Sequence, residues 1–440
     1  MVGAASGYGA DGRARAYPLA MPSTPPRPSL APFVVAVALG STAYISAFTT
    51  AAVAAREITG SAQLSGLPSA FGTLGTAVGI GVLSALMARR GRRPGLLLGY
   101  ALAIVGGAVS VAAVIASSFL LLVVGSVAIG LGNAALQLAR YAASDLVPEE
   151  GRASAVGLVV WGSTVGAVLG PNLVQPAGSL GVSLGRTVLE GGLIVTVLGF
   201  GLTFLVTALF IRATPAPSLA PHLAGPPIAP GIGTQALHPA PSARPATARE
   251  LVASARVRIA IIAMVAGQIV MVLVMTMAPV HVHDMGHDLA TVGLVISAHT
   301  LGMFALSPIT GRLVGRFGTL PIIYAGFAVL VVSAVLAAVA RETDIPVLVL
   351  GLFLLGYGWN LSFVAGSSLL TSGTNLAERI RLQGMVDIGV WVSSGVASVS
   401  SGFLLSQFGY GVLSLTAGAL LIVPALAIAA QQGRSEPAAA

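Results

Sequence analysis

The chain has 440 residues, of which 55% are hydrophobic and only 8% are charged, and its formal net charge is +8. Because about a quarter of the residues of a soluble domain are charged, this composition predicts a protein that crosses a lipid bilayer several times. The absence of cysteine excludes disulfides and cysteine–metal sites. All 22 basic residues are arginines, and we assign this charge to loops at a membrane surface rather than to nucleic-acid binding.

The apolar stretches predict twelve membrane-spanning helices. A helix needs about 20 apolar residues to span the hydrocarbon core of a bilayer. Such stretches lie at roughly residues 33–55, 64–88, 95–116, 118–141, 153–176, 187–211, 257–281, 289–311, 319–340, 345–371, 381–405 and 409–430. The predicted fold is therefore an all-α membrane protein.

Polar segments separate these helices into two groups of six. Residues 1–30 have no apolar run, and they predict a disordered cytoplasmic tail rather than a cleavable signal peptide. Residues 213–252 contain nine prolines and predict a flexible cytoplasmic linker. Residues 433–440 form a second predicted tail. The predicted domains are two pseudo-symmetric six-helix bundles, at 31–212 and 253–432.

The distribution of arginine predicts the orientation in the membrane. Nineteen arginines fall in the tails, the linker and the loops on the same side of the membrane, and only Arg56, Arg186 and Arg341 fall on the other side. Clustered basic residues mark cytoplasmic loops. We therefore predict a multi-pass protein of the inner or plasma membrane with both termini in the cytoplasm.

Two related arginine loops predict that the halves arose by duplication. Residues 88–94, after the second helix, read Ala-Arg-Arg-Gly-Arg-Arg-Pro. Residues 311–318, after the eighth helix, read Gly-Arg-Leu-Val-Gly-Arg-Phe-Gly, which places Arg316 227 residues after Arg89. Gly130 in the fourth helix resembles Gly356 in the tenth, at a spacing of 226 residues. Duplicated halves of this kind place a substrate site between them, near the bilayer midplane.

Twelve helices, a central linker and the first arginine loop together resemble the major facilitator superfamily. The signature of that family for this loop is Gly-x-Leu-x-Asp-Arg-x-Gly-Arg-Arg. Its acid is replaced here by Ala88, while its arginines and second glycine are kept as Arg89, Gly91, Arg92 and Arg93. The resemblance covers about residues 31–431. It implies transport by alternating access and does not identify a substrate.

The fifth helix adds a second resemblance. Its small residues resemble the glycine-rich signature of the drug–proton antiporters of that superfamily, although the closing glycine pair is absent; they are Gly157, Gly166, Gly170 and Pro171. Small residues at a spacing of four also allow helices to approach closely in lipid. A tight helix seam with no link to the direction of transport is therefore the alternative.

Ionisable residues inside membrane helices are costly, so each is a functional candidate. Asp387 in the eleventh helix is either a gating charge that pairs with a loop arginine, a proton carrier, or a buried hydrogen-bonded acid. His299 in the eighth helix either exchanges protons or is a neutral, hydrogen-bonded histidine. The chain has no nucleophile–base set, phosphate-binding loop or dinucleotide fingerprint, so we predict that it is not an enzyme and needs no cofactor.

Charges at the cytoplasmic ends of the helices predict an inner gate. The resemblance implies that Asp145, at the end of the fourth helix, pairs with an arginine of the first loop; the candidates are Arg89, Arg92 and Arg93. Glu378 is expected to pair with Arg316 in the second half. Structural surface pairs are the alternative to gating.

The resemblance also implies that helices one, four, seven and ten line the substrate cavity. In helix seven, spacings of four, three and four put Met264, Gln268, Met271 and Met275 on one face. Methionine adapts to varied apolar cargo, although plain packing is the alternative. The candidates on the other three helices are Thr42, Ser46, Asn133, Gln137, Arg140, Trp359 and Asn360. Arg140 would favour an anionic substrate unless it extends to the cytoplasmic surface.

Three histidines and two aspartates crowd the predicted outer loop between helices seven and eight. His281, His283 and His287 are weak candidates for a zinc, nickel or pH-sensing site. A solvated polar loop is the default interpretation.

The sequence thus predicts a secondary transporter that exports lipophilic small molecules in exchange for protons. Its expected partners are a small-molecule substrate, protons and the lipid bilayer, with no nucleic acid, and we expect a monomer. One alternative is a narrower solute or metal carrier of the same fold, acting as an importer, a uniporter or a metal exporter. Another is a membrane sensor or scaffold that transports nothing.

Overall fold

The computed structural model describes residues 29–144, 146–147, 152–211, 248–341, 343–372 and 376–433. The predicted tails and most of the predicted linker lie outside these ranges, as does Asp145. The helices are α1 (Ala31–Thr59), α2 (Leu67–Arg90), α3 (Arg92–Ile115), α4 (Phe119–Ser144), α5 (Arg152–Ser183), α6 (Val188–Phe210), α7 (Ala248–Ala253), α8 (Ala255–Asp284), α9 (Leu289–Phe304), α10 (Ser307–Phe317), α11 (Thr319–Val339), α12 (Ile345–Thr371), α13 (Leu376–Ala419) and α14 (Ile422–Gly433). A short 3-10 helix, Gln63–Gly66, precedes α2.

These helices confirm the predicted all-α membrane fold. Within the described residues, 11 apolar helical segments are long enough to cross a membrane. The last, Met385–Gln432, has 48 residues. It is interrupted at Gly409, where φ is 77°, so it holds the last two of the twelve predicted stretches.

Two helix boundaries differ from the sequence prediction for identifiable reasons. The eighth predicted stretch divides into α9, which ends at Phe304, and α10, which begins at Ser307. Pro308 has no N–H to donate to the carbonyl oxygen of Phe304 four residues earlier, and its ring clashes with that carbonyl in a continuous helix. The linker was predicted to continue to residue 252, but residues 248–253 form the short helix α7. Leu251 of α7 is buried in a cluster with Val257 and Val386, so packing stabilises a turn that composition alone does not predict.

Helix packing falls largely into two sets. In the first set, α1 packs on α5 and α6, and α4 packs on α2 and α3. In the second set, α12 packs on α8, α9 and α11, and α13 packs on α8 and α11. One hydrophobic cluster lies wholly within residues 33–211, whereas another joins residues of both sets, from Ala51 to Ile428. The division into two separate bundles stays a prediction.

Matched backbone contacts support the predicted duplication. A methyl group at Gly130 of α4 would overlap the carbonyl oxygen of Gly72 in α2, and one at Gly356 of α12 would overlap that of His299 in α9. The two arginine loops also share a conformation, because Gly91 has φ 87° and ψ 170° and Gly318 has φ 84° and ψ 171°. Residues with a side chain rarely adopt such positive φ values.

The contacts between the two sets define two faces of the molecule. We call the end at which α1 and α8 finish, near Gly60 and Asp284, the latch face, and the opposite end, near Arg89 and Arg316, the arginine face. The carbonyl oxygen of Ser398 in α13 lies against Gly66, and that of Pro171 in α5 lies against Gly293 of α9. These close approaches all lie in the part of the helices that is nearer the latch face.

The glycines of α5 give the first testable prediction. A methyl group at Gly166 would overlap the carbonyl oxygen of Ala38 in α1, whereas one at Gly157 would meet nothing within 4 Å. In an open helical position, alanine is about 1 kcal/mol more favourable than glycine. We therefore expect Gly157→Ala to leave the melting temperature unchanged or slightly raised, and Gly166→Ala to lower it, since overpacking costs about 1–3 kcal/mol.

Thermal unfolding of the purified protein in detergent, followed by size-exclusion chromatography, measures both variants. Equal melting temperatures for the two variants would contradict the packing of α5 against α1.

Candidate transport site and its gates

Two ion pairs join the helix sets at the latch face. Arg56 Nε in α1 lies 3.2 Å from both carboxylate oxygens of Asp284 in α8. His283 Nε2 lies 3.3 Å from Glu57 Oε1. All four side chains are partly exposed, at 31–50% of their surface. We call these four residues the latch.

The sequence alone did not lead us to predict the pairing of these four residues, although their spacing could have indicated it. The spacing of 227 residues that relates Arg89 to Arg316 also relates Arg56 to His283 and Glu57 to Asp284. Each half therefore ends a helix with a basic residue followed by an acidic one. The two dipeptides meet crosswise, so that each base of one half faces the acid of the other.

Further hydrogen bonds close the seam behind the latch. Asn172 Nδ2 of α5 donates to Ser297 Oγ of α9 at 2.6 Å, and Ser297 Oγ donates to the carbonyl oxygen of Val168 at 3.1 Å. Two residues of the antiporter-like pattern, Gly166 and Gly170, lie against α1. The glycine pattern of α5 therefore packs against two helices. Gly166 and Gly170 contact α1, and the carbonyl oxygen of Pro171 contacts Gly293 of α9.

The histidines of the latch-face segment make contacts that do not require a metal. His281 stacks on Tyr410 with ring centroids 4.1 Å apart, and His283 pairs with Glu57. Asp288 caps α9, and hydrogen bonds from the backbone amide and the hydroxyl of Thr291 hold the pKa of its carboxyl below the usual range. Among the described residues, no three His, Asp or Glu side chains are placed to hold a metal ion together.

Asp387 of α13 and Arg140 of α4 both lie nearer the arginine face. The side chain of Asp387 is exposed and that of Arg140 is half-buried. Arg140 of α4 is the charge that acts on its carboxylate in the described structure. The two residues belong to different helix sets, and the sequence analysis had assigned them to different roles, a cavity residue and a coupling or gating acid.

The predicted pairing of the inner-gate arginines with Asp145 and Glu378 stays a prediction, because the side chains of both acids lie outside the described part of the structure. Arg89 and Arg316 are exposed, and the guanidinium of Arg316 lies 5.2 Å from the ring centre of Phe317. Arg93 Nη2 donates to the carbonyl oxygen of Ala208 at 2.6 Å, which joins α3 to the end of α6 within the first set. Arg92 is half-buried.

His299 is buried between α9 and α12. It is 3% exposed, and its Nδ1 donates to the carbonyl oxygen of Leu352 at 3.1 Å. This contact fits the alternative of a neutral, hydrogen-bonded histidine.

Several predicted cavity residues are engaged within their own helix set. Asn133 Nδ2 donates to Thr76 Oγ1 at 3.2 Å, and the related Asn360 accepts from Thr310 Oγ1 at 2.6 Å. Ser46 Oγ donates to the carbonyl oxygen of Gly170 at 2.7 Å, and Thr42 Oγ1 to that of Ala38 at 2.9 Å, while Gln137 is half-buried. The methionines Met264, Met271 and Met275 are buried in hydrophobic clusters. Asn133, Ser46 and Asn360 thus join neighbouring helices, whereas Thr42 bonds within α1.

A polar and aromatic cluster remains partly accessible around Trp359. Its indole Nε1 donates to Gln268 Oε1 at 2.8 Å, and Gln268 Nε2 donates to Ser394 Oγ at 2.8 Å. Phe363 stacks on the indole at 4.6 Å, and Phe304 meets it edge-on at 6.2 Å. Helices α8, α12 and α13 thus hold the indole in one orientation, while Trp359 stays only half-buried.

This arrangement of apolar spanning helices, joined by ion pairs at one face and with an exposed acid nearer the other, is that of a multi-pass membrane transporter. The family model of the Major Facilitator Superfamily matches residues 31–290 and 259–439. The chain belongs to this superfamily, and it is a transporter rather than an enzyme.

Proteins with similar sequences support this family membership. The chain is 34% identical over 396 residues to YdeG of Bacillus subtilis, named as an uncharacterised transporter of this superfamily, covering 89% of this chain and 90% of the relative. It is 28% identical over 412 residues to the riboflavin transporter RfnT of Brucella anthropi, covering 91% and 96% of the two chains.

Solved structures support the fold. An inward-facing, occupied bacterial homologue of the human lysosomal transporter Spinster matches with a TM-score of 0.69 at 15% identity, covering 93% of this chain and 98% of that one. The nucleoside transporter NupG matches with a TM-score of 0.70 at 12% identity, covering 91% and 99%.

The latch gives the second prediction. Partly exposed ion pairs contribute about 0.2–1 kcal/mol each, so Asp284→Asn should lower the free energy of unfolding by this small amount. The exchange Arg56→Asp with Asp284→Arg should recover most of the loss, because the opposite charges still face each other. A double-mutant cycle on thermal unfolding measures the coupling, and a coupling energy of zero would contradict the contact.

Proposed function

We propose that the protein works by alternating access, in which two six-helix bundles, residues 31–212 and 253–432, rock about a central site. The observation that carries the proposal is the asymmetry between the faces. Ion pairs and backbone contacts hold the bundles together at the latch face, while Asp387 is exposed nearer the arginine face. With the arginine loops in the cytoplasm, this conformation is the inward-open state of a monomeric carrier in the inner or plasma membrane, with both termini cytoplasmic.

The proposed activity is export of a lipophilic small molecule in exchange for protons. A carboxylate in a membrane helix is costly and is retained for function. The positive charge of Arg140, in the first bundle, acts on the carboxylate of Asp387, in the second, so protonation of Asp387 would remove one of two opposite charges on the proposed path. Cargo and proton would then compete for the same charged site, which is the requirement for antiport. The glycine pattern of α5, similar to that of drug–proton antiporters, favours the same direction.

Proton exchange is tested in liposomes that have an acidic interior and contain a pH-sensitive dye. Lipophilic cations and neutral drugs are added outside, and proton release on addition of a cargo reports antiport. We expect Asp387→Asn to reduce cargo-driven proton release at least about tenfold, since a single titrating site couples the two fluxes.

The matched control is Asp344→Asn, which removes an acid before α12 outside the spanning helices and should release protons normally. Uptake of a cargo with no proton movement would contradict antiport and would favour a uniporter of the same fold.

A second candidate function is the transport of a flat heterocycle. The half-buried Trp359 offers a fixed aromatic surface for stacking. The buried Gln268, 8% exposed beneath the indole, uses one N–H and one lone pair in its two described bonds, and its amide has a further N–H and a further lone pair. A donor and an acceptor side by side suit the lactam or imide edge of a fused-ring heterocycle. The similarity to a riboflavin transporter is consistent with such a cargo.

Tryptophan fluorescence tests this second function, because the chain has only 3 tryptophans. In the variant Trp161→Phe/Trp391→Phe, Trp359 is the remaining fluorophore, and added riboflavin should quench it. Adding Gln268→Leu should weaken binding about two- to tenfold, since a hydrogen bond contributes about 0.5–1.5 kcal/mol.

The control for this experiment is Gln407→Leu, an exposed glutamine near the latch face, which should not change the quenching. Absence of quenching by riboflavin at any concentration would remove this candidate and leave the antiport proposal untouched.

A further inference from the structure

The latch differs between the two halves in one chemical respect. Its first basic residue is Arg56, which keeps its charge at any physiological pH. The related position in the second half is His283, and histidine ordinarily changes its charge near pH 6.5. One of the two crosswise pairs is therefore permanent, while the other forms an ion pair only when the imidazole is protonated.

We propose that His283 is a proton-binding site through which the pH on the latch face sets the balance between the closed and open states of that face. The inference rests on the proposed alternating access and on the placement of the latch face outside the cell. It adds a group that responds to protons at the opposite end of the molecule from Asp387.

The geometry around His283 supports this role. Its Nε2 lies 3.3 Å from Glu57 Oε1 of α1, and its side chain is 33% exposed, so protons reach it from the solvent. Separation of the helix sets at this face would break the contact, because the two partners lie on α1 and α8. The protonated imidazole is bound more strongly by a carboxylate than the neutral one, since a charge-assisted hydrogen bond is about twice as strong.

Other charges near His283 do not reverse this sign. On α1, Arg56 opposes protonation, but it is itself paired with Asp284, which is the neighbour of His283 in the chain. The 3-10 helix Gln63–Gly66 brings no charge to the site. The surrounding segments carry further titratable groups, which are His281, His287, Asp288, Arg341 and Tyr410; Arg341 borders the same pocket as His281.

The direction of the effect follows from these contacts. Below the pKa of His283 both crosswise pairs are ionic, and the closed latch face is favoured. Above it, the contact of Glu57 with the neutral imidazole is weaker, and the open state gains population. An acidic exterior would thus favour the state that is open towards the cytoplasm, in which a new cargo molecule enters.

Distance measurements between two spin labels test the proposal without relying on any cargo. The chain has no cysteine, so Ser183→Cys and Thr343→Cys provide two labelling sites, both exposed at the latch face and on different helix sets. Double electron–electron resonance in lipid nanodiscs gives the distribution of distances at pH 5.5 and pH 8. We expect the ratio of the short to the long distance to fall by up to about fivefold between these pH values, as suits a partly exposed ion pair.

Arg56, the residue at the position related to His283, suggests the matched variant His283→Arg. His283→Arg should keep the short distance dominant at both pH values, because its charge is permanent. His283→Gln should give the high-pH distribution at both, and so should Glu57→Gln. The control His287→Gln should retain the pH response of the native protein.

Two outcomes separate this inference from the proposed function. A pH response that persists in His283→Gln, or one that never appears in the native protein although a transported drug changes the distance, would overturn the role of His283 and leave alternating access intact. A distance that stays unchanged with pH, with every drug of the transport panel and in His283→Gln would overturn both.

Discussion

Close contact between helix backbones is the constraint on which the rest of this structure depends. Lipid tails are as apolar as the side chains that face them, so helices in a bilayer associate through packing and hydrogen bonds rather than through the hydrophobic effect. Gly130, Gly166 and Gly356 each lie against a carbonyl oxygen of a neighbouring helix, at positions where a side chain would not fit. The contacts of Gly130 and Gly356 lie at related positions of the two halves. They fix each helix relative to its neighbours within a set, so any separation takes place between the sets.

Opposite charges lie across the helix sets at two places. The latch joins α1 to α8 at one face, and Arg140 acts electrostatically on Asp387 nearer the other face. An exposed ion pair contributes little to stability, which suits a contact that must form and break in each transport cycle. The glycine contacts within each set cannot be broken so readily, because they involve the backbone. Rigid sets joined by weak pairs are what alternating access requires.

The sequence predicted the helices well and their partners poorly. Each spanning segment was predictable because about 20 apolar residues satisfy the length of the hydrocarbon core without reference to any other part of the chain. That Arg140 acts on Asp387 was not predictable, because the loop arginines and Arg140 satisfy the same charge rule and only the tertiary structure selects among them. The burial of Met264, Met271 and Met275 also depends on neighbours, since a stripe of methionine suits a cavity and a core equally well.

By itself, the sequence determined the membrane class, the twelve spanning stretches, the arginine loops and the related positions of the two halves, because hydropathy, charge and spacing are properties of the chain alone. The tertiary structure decided which related residues meet. The crosswise pairing of Arg56 with Asp284 and of Glu57 with His283 joins residues that lie more than 220 positions apart. Such a pairing requires the ends of α1 and α8 to lie side by side. Their relative position is determined by the packing of the other helices.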